Sequence, residues 1–440
     1  MIDASLNKIN RLVPQKWKWI LDHEGFRKYF KNTGWMFFAK ILSLIISFLT
    51  TAFIARRLGP ENYGQLSYAV SFVGIFSFIA TLGLDQVLFR DLIKYPEKKN
   101  IFLGSAFIIK LIAGSFTIAL CLGVALLFSQ KDVSSILIFI ISSTFLFNAF
   151  QVINYEFQAR VNSKYPSLVS LLVVLILSLL KILVIVSGRG VIYLALILLL
   201  ESVLYAVFFI VIYKTKIKSS ILDWKYDKII ARNLIRDSWP MIFASAFALI
   251  YSRIDQVMIK QMIDASSVGL YDAAVRVAEA WYFVPGIIVT SLFPAIINAK
   301  MGSKEQYLKR LRKLMMLLLL LAVFVAIPIT FLAPLIIKIL YGEAFIGSII
   351  ILKIYIWAGV GVSVGSLINS YLVAENFRKI LFASSFIAMI SNVILNIVFI
   401  PRYGIIGSAW ATLISYSLGP ISILLFSKTR KNIIKIVFIT

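Results

Sequence analysis

The sequence predicts an all-α polytopic membrane protein with twelve transmembrane helices in two six-helix lobes around a central cavity. Three observations support this prediction. The 440 residues are 60% hydrophobic, a larger share than ordinary soluble domains have. The apolar residues form runs that approach or exceed the roughly 20 residues needed to cross a bilayer. Charged residues lie mostly in short segments between these runs, so the few charges inside the runs are the first candidates for function.

The apolar runs define the predicted transmembrane helices in chain order. Each is bounded by a short polar or basic segment, and the runs cover residues 35–55, 65–84, 101–128, 135–155, 166–187, 191–213, 239–261, 270–297, 314–334, 348–373, 380–400 and 405–427. A turn is expected after the first run, where Leu58, Gly59 and Pro60 follow one another.

Residues 1–33 are predicted to form a basic amphipathic segment on the cytoplasmic surface. Lys and Arg alternate there with Trp17, Trp19 and other aromatic residues, a mixture typical of a helix lying on an anionic leaflet. About thirty polar and basic residues precede the first apolar run, so no cleavable signal peptide is evident. The lone His23 is interpreted as a surface residue. Cys121 lies inside an apolar run and offers neither a disulfide nor a metal site.

The distribution of basic residues predicts the orientation. Of the 45 Lys and Arg residues, 32 lie in the termini and alternate loops that share one side, 7 lie on the other side, and 6 lie within the runs. By the positive-inside rule, both termini face the cytoplasm of a cell (inner) membrane, which requires an even number of spans. The same distribution explains the net charge of +25 as a consequence of membrane topology. Nucleic-acid binding is disfavoured, because it would need a basic patch on a water-exposed domain.

The longest cytoplasmic loop divides the chain into two halves. We predict an N-terminal six-helix lobe at 34–213, a cytoplasmic linker at 214–238, a C-terminal six-helix lobe at 239–427 and a basic cytoplasmic tail at 428–440. Residues 53–70 can be aligned with 258–275, which matches Gly64 with Gly269 among four identities. Parallel repeats of this kind place a substrate site between the lobes, near the middle of the bilayer.

Residues 239–300 carry an unusual number of charges for a membrane-spanning pair of helices. Asp272, Arg276 and Glu279 are spaced to share one helix face, and Arg253 lies on a second polar stripe. A charge in the middle of a bilayer costs about 2.5 to 3.5 kcal/mol on insertion scales, so these side chains are expected to face a bundle interior or a wet cavity. Two interpretations stay open: ion pairs that lock two helices together, or the lining of a path for a charged substrate.

The buried cations outnumber the buried acids, which favours an anionic substrate. Arginine binds phosphate through two parallel hydrogen bonds and stays charged at any accessible pH, so Arg253 and Arg276 are the leading candidates. Lys110 lies deep in its run, whereas Lys40 could also reach the interface from near a run's end. Arg56 and Arg57, at the outer end of the first run, are either interfacial anchors or an exit-side phosphate clamp.

Further polar side chains within the runs are candidates for contact with a glycan or for ion coupling. In the fourth run and in the eleventh, amide and hydroxyl groups recur at helical spacing, which is typical either of hydrogen bonding between helices or of a surface for sugar hydroxyls; these residues are Asn148, Gln151, Tyr155, Asn392 and Asn396. The acids that could pair with the cations or couple transport to H⁺ or Na⁺ are Asp255, Glu279, Asp272 and Glu201.

Several segments resemble a known group of transporters. The run Phe53 to Gly64 resembles the first loop of Wzx-type polysaccharide repeat-unit flippases, which belong to the multidrug/oligosaccharidyl-lipid/polysaccharide exporter superfamily. Residues 254–259, 268–271, 276–279, 282–285 and 291–294 look like that group's seventh and eighth spans, and 403–409 is similar to the start of its last span. The resemblance implies two six-helix lobes and outward movement of an undecaprenyl-pyrophosphate-linked oligosaccharide by alternating access, in the synthesis of O-antigen, capsule or a similar polysaccharide.

The expected partners are therefore a lipid-linked oligosaccharide and membrane lipids, with H⁺ or Na⁺ as coupling ions and with a polysaccharide polymerase and its chain-length regulator as neighbours in the pathway. No cofactor or metal is expected. The alternative is a cation-coupled multidrug exporter of the same superfamily, although such a protein should have a net acidic binding lobe. An enzyme is disfavoured, because the predicted external loops are short and no metal, phosphate-loop or nucleophile motif is evident.

Overall fold

The computed structural model describes residues 24–128 and 133–438, and these residues form helices without any strand, as the fold class predicts. Most of the predicted cytoplasmic segment at 1–33, including His23, lies outside the described residues. The α-helices, numbered α1 to α16 in chain order, are Glu24–Thr81, Leu84–Lys94, Lys99–Phe128, Val133–Ser142, Thr144–Asn148, Val152–Ala159, Lys164–Val186, Val191–Ile212, Lys228–Met262, Ala265–Glu279, Phe283–Gly302, Lys304–Leu340, Ser348–Tyr355, Ala358–Ala374, Arg378–Ser422 and Ser427–Phe438.

In the described part of the chain, ten helical segments are long and apolar enough to cross a membrane. Two of them, Phe37–Lys94 and Arg378–Leu425, have 58 and 48 residues, about twice the length that one crossing needs. Each contains a sharp kink at a glycine with positive φ, Gly59 (φ 75°) and Gly404 (φ 59°). The predicted turn at Gly59 is therefore present, and each kinked segment is long enough for two of the predicted spans.

The predicted loops are partly helical. Residues 85–100 contain most of α2, and α9 begins at Lys228, well inside the predicted linker. The C-terminal tail likewise contains α16, in which the Thr429 hydroxyl donates to the Ile423 carbonyl and Asn432 donates to the hydroxyl of Tyr371. Hydropathy marks where apolar side chains stop, but backbone hydrogen bonding continues past that point, so helices extend beyond the runs.

The fourth predicted span is broken. A 3₁₀ turn at Ala149–Gln151 separates α5 from α6. Because a 3₁₀ turn has three residues per turn instead of 3.6, it changes the direction of the side chains that follow. The single polar face predicted for Asn148, Gln151 and Tyr155 assumed one continuous helix.

Contacts divide the chain into two compact units. Among the described residues, the first contains 24–51, 76–128 and 133–242, and the second contains 52–75 and 243–438. Helices α1 and α9 each belong partly to both. The lobe boundaries predicted at 34–213 and 239–427 remain predictions; the contact-based division differs from them in grouping 52–75 with the second unit and 214–242 with the first.

Within the second unit, the two aligned segments cross each other at their matched glycines. A Cβ built on Gly64 would overlap the carbonyl oxygen of Ala265, and one built on Gly269 would overlap the carbonyl oxygen of Pro60. The alignment that matches Gly64 with Gly269 also matches Pro60 with Ala265, so each contact is the counterpart of the other. Glycine is needed at both positions because the two backbones approach too closely for any side chain.

Candidate functional site

The buried carboxylate of Asp272 is the centre of the main polar cluster in the second unit. Asp264 begins α10 by accepting a hydrogen bond from the backbone N–H of Ser267 at 2.7 Å, and Asp272 follows two turns later. Its Oδ2 accepts from the Tyr63 hydroxyl at 2.5 Å, the Ser67 hydroxyl at 3.0 Å and the Arg276 Nε at 2.7 Å. With three donors, one of which is a cation, this carboxylate is compensated although it is only 1% exposed.

Arg276 is paired with Asp272 through only one of its three guanidinium nitrogens. Its Nε binds Asp272, four residues earlier on the same helix face, and 36% of its side chain is exposed. No hydrogen bond from its two terminal nitrogens occurs among the described residues. A guanidinium held through Nε presents its outer edge in a fixed direction, which suits it to a second, planar anion.

Arg253 lies half-buried in the same unit. In the part of the chain that the structure describes, its guanidinium has neither a hydrogen bond nor an ion pair. It lies within electrostatic range of the carboxylates of Asp272 and Glu279. Of the four charges predicted to face a polar interior here, Arg253 is therefore the one without a direct partner.

Four tyrosines pack together beside Glu279 and are called the tyrosine wall below; they are Tyr251, Tyr271, Tyr355 and Tyr416. The Tyr355 hydroxyl donates to Glu279 Oε1 at 2.8 Å. The ring of Tyr355 is edge-on to that of Tyr271, with centroids 6.0 Å apart, and to that of Tyr416 at 6.5 Å. Tyr251 packs edge-on against Tyr416 at 5.1 Å. The rings of Tyr271 and Tyr355 are buried, at 0% and 2% exposed, whereas Tyr251 and Tyr416 also line a neighbouring cavity. An aromatic ring with a hydroxyl group at its edge suits contact with a sugar.

A cavity of about 170 Å³ opens next to this wall. Small and hydroxyl-bearing residues of α14 and α15 form most of its lining, which combines polar and apolar atoms. The polar side chains that line it are Tyr251, Ser366, Asn369, Ser384, Ser385, Ser415 and Tyr416.

Asp255 is the centre of a second polar network, and its partners are neutral. Its Oδ1 accepts from Asn396 Nδ2 at 2.7 Å, and its Oδ2 accepts from the hydroxyls of Tyr271, at 2.7 Å, and Thr412. Asn396 also donates to Asn392 Oδ1 at 3.2 Å. Asp255 is 3% exposed and has no ion pair among the described residues, while Asn396 Oδ1 is buried without a hydrogen bond.

In the first unit, Lys110 is paired with an acid that the sequence did not single out. Its Nζ lies 2.6 Å from Asp85 Oδ1 and 5.3 Å from the centre of the Tyr155 ring. The Lys110 side chain is only 5% exposed, whereas Asp85 is 38% exposed. The buried amine is thus compensated by a carboxylate and by the face of an aromatic ring.

The other predicted residues of the first unit are more isolated. Glu201 lies 3.5 Å from Lys181 Nζ, so this candidate coupling acid has a basic partner. Lys40 and Asn148 are exposed and Gln151 is half-buried. The structure brings none of these three into the Lys110 cluster.

Arg56 and Arg57 occupy different environments in the second unit. The Arg56 Nη1 donates to the Ile339 carbonyl at 3.0 Å. The Arg57 guanidinium lies 5.6 Å from the centre of the Phe53 ring. Both residues are exposed, so their charges remain accessible even though each side chain has a local contact.

Sequence reasoning missed the tyrosine wall and the long-range partners of Asp272. Tyr251, Tyr355 and Tyr416 lie in three different predicted spans, and Tyr63 lies 209 residues from Asp272. A tyrosine in an apolar run is usually an interfacial or core residue, so only the folded structure identifies this cluster. The recurrence of tyrosine within spans seven, ten and twelve was the one available signal.

Comparisons with known proteins agree with this architecture. A family model described as "Polysaccharide biosynthesis protein" matches residues 29–300. The chain is 23% identical over 403 residues to the capsular polysaccharide biosynthesis protein CapF of Staphylococcus aureus, which covers 90% of this chain and 99% of that one. It is 30% identical over 186 residues to the probable flippase AglR of Haloferax volcanii, which covers 39% of this chain and 37% of that one.

Two solved structures share the fold. The lipid II flippase MurJ in an inward closed conformation matches with a TM-score of 0.71 and 20% identity, over 91% of this chain and 89% of that one. An inward-facing multidrug resistance MATE transporter matches with a TM-score of 0.70 and 14% identity, over 89% and 95%. At these identities the likeness shows the fold.

Proposed function

Because the chain belongs to the polysaccharide biosynthesis protein family, we propose that it is a flippase that moves lipid-linked oligosaccharide repeat units from the cytoplasmic to the outer leaflet by alternating access. The lipid carrier in this proposal is undecaprenyl pyrophosphate, and the product serves O-antigen, capsule or similar polysaccharide synthesis. Relatives named for capsular polysaccharide biosynthesis and for flipping support this assignment. The host membrane is the cell inner membrane, with both termini in the cytoplasm.

The observation that carries the proposal is the pair of available guanidinium groups in the second unit. Arg253 has no direct partner among the described residues, and Arg276 is anchored through Nε alone. A pyrophosphate carries several oxygens in a compact group, which matches two forked donors better than any neutral ligand would. Tyr251 and Tyr416, together with the hydroxyl groups that line the neighbouring cavity, supply contacts for the first sugar ring.

Replacing Arg253 or Arg276 with alanine tests this assignment. Loss of one hydrogen-bonded contact between charged groups costs about 1.5 to 3 kcal/mol, so transport of a lipid-linked substrate should fall about 10- to 100-fold. The measurement is polysaccharide at the cell surface, normalised to the amount of folded protein in the membrane. Arg402→Ala is the matched control, because Arg402 is exposed and has no hydrogen bond or ion pair within the described ranges. Normal export by both variants would refute the proposed roles.

Asp255 is our proposed coupling acid. Asp272 and Glu201 each have a cationic partner, and Glu279 lies within electrostatic range of Arg253, whereas the partners of Asp255 are all neutral hydrogen-bonding groups. Burying an uncompensated carboxylate costs several kcal/mol. Binding of H⁺ or Na⁺ removes that cost, so the occupancy of the site depends on the ion gradient.

A further inference from the structure

The first unit contains a charged cavity that the proposed transport mechanism does not use. It has a volume of about 370 Å³ and lies where the end of α2 and the start of α3 meet the first turns of α9. The segments that contribute, 85–100 and 214–238, are two of the basic loops for which the charge distribution predicts a cytoplasmic location. The side chains that matter for its chemistry are Arg90, Lys94, Tyr95, Asn233, Arg236 and Asp237.

Hydrogen bonds outside the cavity join α3 to the segment that leads into α9. The Lys225 N–H donates to the Asn100 carbonyl at 3.1 Å, and the Asp227 N–H donates to the Ser105 hydroxyl at 3.0 Å. Gly104 permits this approach, since a Cβ there would lie 2.8 Å from the Lys225 nitrogen. The start of α9 is thus fixed against α3, and the cavity is part of the folded unit.

The charges that line the cavity leave it net positive. Arg90 donates from Nε to Asp91 Oδ1 and from Nη2 to Asp237 Oδ2, both at 2.7 Å. Both carboxylates that line the cavity, those of Asp91 and Asp237, therefore already have a cationic partner. Arg236 lies 3.8 Å from Asp237 Oδ1, too far for a hydrogen bond, and Lys94 lies 5.0 Å from the centre of the Tyr95 ring. Lys94 and Arg236 are therefore the two cations available to an anion.

The surroundings of the cavity have the character of a membrane interface. Tyr95 is stacked on Phe102, with centroids 6.1 Å apart and an interplanar angle of 14°. Leu222, Tyr226 and Ile229, in and just before the first turn of α9, are 89%, 52% and 72% exposed. Exposed apolar and aromatic side chains beside Lys and Arg are typical of segments that lie among lipid headgroups.

We propose that this cavity binds the phosphate-bearing headgroup of a lipid in the inner leaflet. Lys94 and Arg236 bind the phosphate, Asn233 hydrogen-bonds to the polar group attached to it, and the Tyr95–Phe102 stack packs against its carbon atoms. The volume lies within the range of small-ligand sites and exceeds what a phosphate alone would fill. Two sources share this chemistry: an anionic phospholipid, or a lipid-linked glycan before it enters the transport path.

The test uses the full-length protein in a neutral detergent, where no charged membrane surface contributes. Native mass spectrometry measures binding of phosphatidylglycerol, and undecaprenyl pyrophosphate is then added as a competitor. Each Lys or Arg near a lipid phosphate contributes a factor of about 5 in affinity, so Lys94→Gln with Arg236→Gln should weaken binding about 25-fold. Lys309→Gln with Lys313→Gln removes the same charge from exposed positions outside the cavity and should change binding less than about threefold.

Asn233→Trp provides a second variant that blocks the cavity without altering charge. Asn233 is exposed, so the substitution should leave the fold intact while it abolishes binding. Binding that is lost in both cavity variants and is displaced by undecaprenyl pyrophosphate identifies a substrate landing site; binding lost in both but not displaced identifies a phospholipid site. Wild-type affinity in both cavity variants, or an equal loss in the Lys309/Lys313 variant, overturns the proposal.

Discussion

The crossing of residues 60–64 with 265–269 leads to the most specific prediction. An alanine at Gly64 would place its Cβ 2.8 Å from the Gly269 nitrogen and in overlap with the Ala265 carbonyl oxygen. The obstructing atoms belong to the backbone, so no side-chain rotation can relieve the clash. Gly64→Ala should therefore drive these two segments apart, and Gly269→Ala should do so through the equivalent clash with Pro60.

The expected size of the shift toward the separated arrangement follows from the cost of overpacking. Inserting a methyl group into a well-packed contact costs about 1 to 3 kcal/mol, and a rigid backbone obstacle favours the upper end. A cost of about 3 kcal/mol shifts the equilibrium between the closed and separated arrangements by about 100-fold. In an alternating-access mechanism in which this crossing opens toward the outside, the substitution should populate an outward-open state even when no substrate is bound.

Cysteine labelling measures this shift. Val268 is fully buried and lies next to the crossing, so Val268→Cys, made in a Cys121→Ala background, should react slowly with a membrane-impermeant maleimide added to intact cells. Adding Gly64→Ala should raise the rate by about 100-fold. Gly286→Ala is the matched control, because a Cβ at Gly286 meets no heavy atom within 4 Å. An unchanged labelling rate in correctly folded Gly64→Ala protein, or an equal rise in the Gly286→Ala variant, would contradict this prediction.

Three further predictions concern single residues. Asp255→Asn should abolish transport driven by a Na⁺ or pH gradient while retaining the fold; wild-type ion dependence in reconstituted vesicles would contradict its coupling role. Asp85→Ala should lower the free energy of unfolding by about 3 to 5 kcal/mol, because it leaves the buried amine of Lys110 without its carboxylate partner. Lys110→Met should lower it less, because Asp85 is partly exposed to water. Equal shifts in the melting temperatures of the two purified variants would contradict this difference. Gly404→Ala should cost about 1 to 3 kcal/mol, because φ of 59° with ψ of −144° is accessible almost only to glycine, and unchanged thermal stability would show that the kink can relax.

The features predicted correctly from sequence depend on local or periodic patterns. Apolar runs locate the spans because the bilayer selects on length and hydropathy alone. Leu58, Gly59 and Pro60 predict the first kink because the break is encoded by adjacent residues. The i, i+4 spacing predicts that Asp272 and Arg276 share a face, and the structure pairs them at 2.7 Å.

The features that sequence could not reveal depend on residues distant in the chain. Asp272 is also held by Tyr63 and Ser67, more than 200 residues earlier, and no periodicity connects these positions. The match of Gly64 with Gly269 predicted a repeat but not that the repeated segments touch. The 3₁₀ turn at 149–151 interrupts the polar face that was predicted for the fourth span. The sequence did not reveal this turn, because a small change in helical phase leaves the hydropathy of the segment unaltered.

The two buried carboxylates of the second unit show why a charge count alone is insufficient. Asp272 and Asp255 are equally buried, at 1% and 3% exposed, so each would cost several kcal/mol as an isolated anion. Asp272 has Arg276 four residues away, which makes the pair locally neutral and still leaves the outer edge of the guanidinium available. Asp255 has only the amide and hydroxyl groups of Asn396, Tyr271 and Thr412. Such groups stabilise a carboxylate without neutralising it. We therefore propose that an ion from solution completes the charge balance at Asp255, which makes Asp255 rather than Asp272 the candidate for responding to an ion gradient.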